Sequence, residues 1–184
     1  MFEIGDYRMR IINETDLERL LTWRNSEHVR SKMFTDHIIT MDEHRAWFKS
    51  IKNRSVAANF IFEFDNRPIG YICYTDIDTR SATCSSGLYL GEQEGLPVDV
   101  GLAIEFFILE YAVEKLQMRK LWGYVFEFNK RVIMLHKFFG YRQEGFLSEH
   151  ILKNGKYENL VLMSLFADDW KMKREHIRKY IFKL

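Results

Sequence analysis

Residues 100–112 constrain this chain most tightly. Val100, Ala103, Ile104, Phe107, Ile108, Tyr111 and Ala112 recur at steps of 0, 3, 4, 7, 8, 11 and 12, the spacing of one helical face. A helix this apolar needs a surface to bury against, and the flanking residues predict a sheet. Phe60, Phe62 and Phe64 alternate with Asn59, Ile61 and Glu63, so residues 58–64 read as a half-buried strand. Turn chemistry at Asp65-Asn66-Arg67-Pro68 leads to a returning strand from Ile69 to Thr75. A further turn near Asp78 leads into a strand over Thr83 to Leu90, giving an antiparallel meander. Lys120 to Phe126 is a strand, Asn129 to Phe139 a helix stopped by Gly140, and two last strands flank the hairpin signal Asn154-Gly155. Upstream, Tyr7 to Ile12 reads as a strand and Thr15 with Glu18 as a capping box opening a helix. A turn of helix from Ser26 carries Val29, Arg30 and Met33. A second box, Thr40 with Glu43, precedes a helix with His44, Trp47, Phe48 and Ile51 on one face. This order predicts an α/β (α+β) domain with a mixed, mostly antiparallel central sheet flanked by helices.

Composition narrows the function classes. The 27 Lys and Arg nearly cancel the 26 Asp and Glu, leaving a formal charge of +1 and no net field favouring nucleic acid or a membrane surface. The two cysteines, Cys73 and Cys84, are too few for a disulfide framework or a four-thiolate zinc site. The six histidines show no metal-binding spacing, so no metal is expected. No apolar run reaches 18 residues and the N-terminus carries no secretion signal, so the expected location is cytoplasmic. Residues 1–168 read as one domain. Residues 169–184 read as a basic helix, with Lys171, Lys173, Arg174, Arg178 and Lys179, packed on the domain or on a partner subunit.

Two segments carry a family resemblance. Leu96-Pro97-Val98-Asp99-Val100-Gly101 precedes the apolar helix, where backbone N–H groups and the helix dipole make an anion site without side-chain charge. Asn129, then Leu135-His136 and Gly140-Tyr141, follow the strand Tyr124-Val125-Phe126. Together with Gly87-Leu88-Tyr89-Leu90, these resemble the GNAT superfamily of acyl-CoA-dependent N-acetyltransferases over roughly residues 7–166. The resemblance implies acetyl-CoA as co-substrate. It implies contacts from Leu88, Tyr89, Leu90, Val98, Asp99, Val100, Gly101 and Asn129, and a backbone N–H of residues 87–90 toward the oxyanion. Of the family's Q/R-x-x-G-x-G/A loop only Gly101 matches; Leu96 replaces Gln/Arg, and Asp99, which also reads as an N-cap, replaces the first glycine. His136 stands where many members have a Tyr acid, and imidazole supplies a proton near neutrality, with Tyr141 and Tyr89 in reserve. His136 reads equally as a histidine packed on an apolar face. Glu127 is the candidate base acting through water, with Asp76 and Asp78 as alternatives. The reaction is direct attack, and neither cysteine sits in a nucleophile setting.

Trp23-Arg24-Asn25, Val29-Arg30, Met33 and His44-x-x-Trp47 are similar to the acetyltransferases of the pseudaminic-acid pathway. These act on the 4-amino group of a UDP-linked 4-amino-4,6-dideoxy sugar used in flagellin glycosylation. For such a substrate Trp23 or Trp47 offers an aromatic face to the base, Arg30 and Arg24 are candidates for the diphosphate, His44 for phosphate or base, and Met33 and Phe48 for the apolar deoxy-sugar methyl. The tryptophans read also as core anchors and Arg24 as a solvated helix end. Partners are therefore the UDP-amino-sugar and acetyl-CoA, with a homodimer allowed. The alternatives are a protein N-terminal or polyamine N-acetyltransferase, and a non-catalytic acyl-CoA-binding module.

Overall fold

The computed structural model describes residues 2–52 and 58–183. Positions 1, 53–57 and 184 of the two expected segments lie outside the described residues. Eight strands form one mixed sheet, mostly antiparallel, in the order β1-β2-β3-β4-β5-β6-β8-β7, with six α-helices among the described residues. The chain divides into two compact units, residues 1–73 with 88–96, and residues 74–87 with 97–184.

In the first unit, β1 (Phe2–Ile4) and β2 (Tyr7–Ile11) form a hairpin through Gly5, whose φ is +57°. Three residues are too short for a periodicity to show, and the sequence pattern begins only at Tyr7. β2 pairs antiparallel with β3 (Asn59–Phe64), and β3 with β4 (Arg67–Asp78). Asp65 and Asn66 are both left-handed (φ 49° and 60°), as a tight two-residue hairpin turn requires. The returning strand therefore starts at Arg67, opposite Phe64, two residues before the expected Ile69. Pro68 sits opposite Glu63 beside the irregularity at Phe62/Glu63, where the ladder tolerates its missing N–H.

Helices α1 (Leu17–Asn25), α2 (Glu27–Arg30) and α3 (Met41–Lys52) complete this unit. The box at Thr40 and Glu43 forms as expected, Thr40 N donating to Glu43 Oε2 at 2.7 Å. The first box is displaced: Thr15 N donates to Asn13 Oδ1 and Asn13 N to Asp16 Oδ2, both at 2.9 Å, so Asn13 and Asp16 replace Thr15 and Glu18. Arg10 explains the displacement. Its guanidinium donates to both oxygens of the buried Asp16 at 2.7 Å, and its Nε to Glu63 Oε1 at 2.7 Å, with Arg8 pairing the same Glu63. A core of Ile12, Leu20, Trp23, Phe48, Ile61 and Tyr71 lies behind the clamp. The Trp23 indole lies against the backbone of Gly91, where an added Cβ would meet Trp23 Cδ2 at 2.0 Å, and its Nε1 donates to Glu92 at 3.0 Å.

In the second unit, β5 (Thr83–Leu90) pairs in parallel with β6 (Lys120–Phe126) through Thr83, Cys84 and Ser85. β6 pairs antiparallel with β8 (Lys156–Phe166) along its whole length, and β8 with β7 (Arg142–Lys153) around Asn154-Gly155, both left-handed. Helix α4 (Val100–Glu110) buries eight of its eleven residues. It then widens into a π turn over Tyr111–Lys115, so the regular spacing ends before the expected Tyr111 and Ala112, and Tyr111 stacks on Tyr74 at 5.7 Å. Helix α5 (Lys130–Phe139) stops at Gly140, φ 105°. Helix α6 (Ala167–Phe182) begins two residues before the expected 169; its Trp170 is fully buried edge-on to Phe106 and donates Nε1–H to Glu110 at 2.7 Å.

Two outcomes follow. Arg10→Ala strands the buried Asp16 carboxylate, leaves Glu63 with Arg8 alone, and lowers unfolding stability at pH 7 by about 3–5 kcal/mol in urea titration. Burial works to raise the Asp16 pKa, but Arg10 and the Asn13 amide outweigh it and hold the carboxyl below its usual range. Its contribution is present above about pH 4 and drains as pH falls through the lowered value, so the gap between the proteins narrows toward pH 3. Gly91→Ala forces the indole off the chain, costs about 1–3 kcal/mol and shifts tryptophan emission.

Candidate active site

The second unit contains a helix N-terminus suited to an anion and a buried acid–base cluster. At the start of α4, Asp99 occupies the N-cap and its carbonyl accepts from Leu102 and Ala103, at 2.8 and 3.0 Å. Its side chain makes no capping hydrogen bond, and Val98 beside it is fully exposed. A Cβ built on Gly101 would meet nothing within 4 Å, so the first-turn backbone is open to a bulky anion such as the CoA pyrophosphate. The residues present fit that group through backbone donors rather than a side-chain cation.

His136, on α5, lies with its Nε2 3.9 Å from Glu105 Oε2 of α4. Glu105 is 1% exposed, and neither carboxylate oxygen has a hydrogen-bond partner within ordinary limits among the described residues; the same holds for His136 Nδ1 and the Tyr141 hydroxyl. The Tyr141 ring packs 4.3 Å from the imidazole. Burial, then the charge of Glu105, push its phenol well above its ordinary value despite Ser86 nearby, so Tyr141 stays protonated and is a weak acid. Tyr89 is also pushed up, by burial.

The expected bases are engaged. Glu127 accepts from Asn159 at 2.8 Å and Lys130 at 3.1 Å, and these hold its carboxyl below the usual range, weakening it as a base. Asp78 accepts from Arg80 N and Ser81 N, closing a turn, and Thr75 donates to Asp76. Asn129 is the N-cap of α5 through its carbonyl, with no side-chain capping bond. Cys84 is buried and its thiol pushed up to about 12, unsuited to nucleophilic work.

The first unit brings together an aromatic series. His44 stacks on Trp47 at 5.0 Å, Trp47 meets Tyr71 edge-on at 6.2 Å, and Tyr71 packs on Tyr89 at 5.2 Å. Burial lowers the His44 pKa against a partial offset from the backbone of Leu17, so its ring is neutral at pH 7. Arg24 is half-buried beside Tyr89; burial lowers its pKa, and its Nη1 is buried without a hydrogen-bond partner among the described residues. A guanidinium stays charged through such a shift. Arg30 differs: its Nη1 donates to the Asp36 carbonyl at 2.8 Å and its Nη2 to Glu27. Trp23 and Phe48 are core residues, 4% and 7% exposed, and present no stacking face. Met33 is half-buried in the turn after α2, and Leu88, Tyr89 and Leu90 close β5.

Sequence reasoning missed Glu105, Ser86 and Tyr71. Glu105 had a signal: it is the lone charge inside the apolar run Val100 to Leu109. Tyr71 and Ser86 had none, because only tertiary contacts distinguish them from other strand residues.

Comparison with known proteins supplies the family. Residues 9–162 match the acetyltransferase (GNAT) domain model. The acetyltransferase PseH of Campylobacter jejuni is 30% identical over 127 residues, covering 68% of this chain and 76% of that protein. The spermidine N-acetyltransferase of Vibrio cholerae, solved with CoA and spermine, superposes with a TM-score of 0.84 at 18% identity over 90% of this chain and 98% of its own. An N-acetyltransferase from Staphylococcus aureus superposes with a TM-score of 0.75 at 19% identity over 89% of this chain and 99% of its own. The expected fold is borne out, as is the co-substrate. The chain belongs to the GNAT acetyltransferase family and is an acetyl-CoA-dependent N-acetyltransferase.

Proposed function

We propose that this enzyme acetylates the 4-amino group of a UDP-linked 4-amino-4,6-dideoxy sugar, as in the cytoplasmic synthesis of pseudaminic acid for flagellin glycosylation. The observation that carries the reading is Arg24, a half-buried guanidinium with an unpartnered nitrogen beside aromatic rings. A diphosphate uses the planar donor fork of arginine, and a uracil uses an aromatic face such as Trp47. A polyamine is a cation and calls for free carboxylates. In the first unit Asp16, Glu63 and Glu92 are instead held by Arg10, Arg8 and Arg67. The 30% identity to PseH supports the same reading.

In this reading the first turn of α4, from Asp99 to Gly101, receives the CoA pyrophosphate on its backbone amides, and residues 88–90 offer main-chain groups to the acyl-pantetheine arm. The acceptor amine attacks directly and sheds its proton to water. His136 protonates the departing thiolate.

A thiol-release assay with acetyl-CoA tests it against UDP-4-amino-dideoxy sugars, spermidine and a ribosomal-protein peptide. Release occurs with the sugar nucleotides alone, and free UDP inhibits competitively. Arg24→Ala raises the sugar-nucleotide KM at least about tenfold, equivalent to about 1.4 kcal/mol. Release with spermidine that survives Arg24→Ala moves the acceptor to the polyamines.

A further inference from the structure

We propose that Glu105 is a positioning residue for the chemical step: it holds the His136 imidazole by one nitrogen and leaves the other to protonate the departing CoA thiolate. This rests on the reading of His136 as the proton donor and adds a residue that the reading does not contain.

The placement of Glu105 needs an explanation that packing does not supply. Every other residue from Val100 to Leu109 is apolar, and Glu105 sits mid-run, 1% exposed, with both oxygens lacking hydrogen bonds among the described residues. A carboxylate in such surroundings is costly unless a cation compensates it. The groups around it come from several other elements. His136 of α5 is 3.9 Å away, within ion-pair reach. Tyr141, after α5, packs on the imidazole, and its hydroxyl also faces Glu105, too loosely for a well-formed hydrogen bond, with Ser86 of β5 and Tyr74 of β4 around it. Lys173 of α6 ends beside Gly140, while the Tyr74 hydroxyl is committed to the Ile108 carbonyl at 2.8 Å. Among the described residues, His136 is the basic side chain within 4 Å of the carboxylate.

The two imidazole nitrogens then divide the work. Nε2 faces Glu105 Oε2, and Nδ1 has no hydrogen-bond partner among the described residues. A carboxylate on one nitrogen orients the ring and favours the doubly protonated form, which is the arrangement a general acid needs. When the amine has attacked the thioester carbonyl, collapse of the tetrahedral adduct forms the amide and breaks the C–S bond. The sulfur takes the electron pair and a proton from Nδ1–H. The amine proton leaves to water, and the neutral imidazole, keeping Nε2–H toward Glu105, takes a proton back from water when the product CoA leaves. Tyr141 presses on the ring and limits its rotation.

The test is kcat and KM against pH, with thermal unfolding, for the full chain and its Glu105→Gln, Glu105→Asp and His136→Gln variants. His136→Gln lowers kcat about a hundredfold or more. In Glu105→Gln, kcat falls at least about tenfold with the acetyl-CoA KM unchanged. The alkaline fall of kcat moves about one unit lower, because without the carboxylate the acid loses its proton earlier. The melting temperature of Glu105→Gln holds or rises, since a buried charge has been removed. Glu105→Asp moves the alkaline fall in the same direction by less, and it is the variant to read if Glu105→Gln does not fold. A Glu105→Gln or Glu105→Asp enzyme that loses melting temperature and kcat together with an unmoved alkaline fall marks a structural carboxylate and overturns the inference. Wild-type kinetics in Glu105→Gln beside a crippled His136→Gln overturn it while leaving His136 as the donor. Wild-type turnover in His136→Gln overturns both assignments.

Discussion

Helix α4 leaves almost no side for solvent, and that requirement organises the second unit. Its apolar residues need partners all round, so Phe106 takes the ring of Trp170 and, with Phe107, that of Phe182 from α6. Phe139 at the end of α5 packs on the same Trp170. Polar anchors then set the register: Trp170 donates to Glu110 and Tyr74 to the Ile108 carbonyl. These bonds count because a buried donor left unmade is more costly than a made one is favourable. Against so complete an apolar enclosure, the single interior carboxylate of Glu105 stands out as a group that contributes nothing to packing.

The first unit turns on how its arginines are used. Arg10 holds Asp16 and Glu63, and Arg30 holds Glu27 and the chain at Asp36. Arg10 ties the β2–β3 ladder to the turn that opens α1, and Arg30 ties α2 to the chain at Asp36, which is a structural role. Arg24, at the end of α1, has no such carboxylate on its buried nitrogen among the described residues. The same side chain thus serves as a cross-link in two places and as an available donor in the third. The difference lies in the acids each one meets. Trp23 and Trp47 divide in the same way: the first is closed in by Gly91 and Glu92, while the second is half-buried on His44 and Tyr71.

Replacing a phenol by an imidazole at position 136 changes what its surroundings must supply. A phenol donates its proton while neutral. An imidazole donates efficiently near neutrality as a cation, and a cation in an apolar pocket needs a counter-charge. The buried Glu105, one helix away, lies 3.9 Å from the ring. The two positions, 31 residues apart in sequence (136 minus 105), make chemical sense only as a pair.

Much of this protein was legible in the chain because the relevant physics is local. Turns at Asp65-Asn66 and Asn154-Gly155, the box at Thr40 and Glu43, the stop at Gly140 and the apolar period of α4 depend on residues within a few positions of one another. The family signature was legible for the same reason, since a strand end, an Asn and a helix at fixed spacing survive as a short string. Local pattern also misled where a distant side chain intervened: Arg10 drew Asp16 into the cap that Thr15 was expected to form. Tertiary structure alone decided which tryptophan is core, which arginine is tied to a carboxylate, and that Glu105 meets His136. Periodicity determines which face of an element turns inward. What that face touches is set by long-range packing, and the charge and hydrogen-bond state of a buried group follows from what it touches.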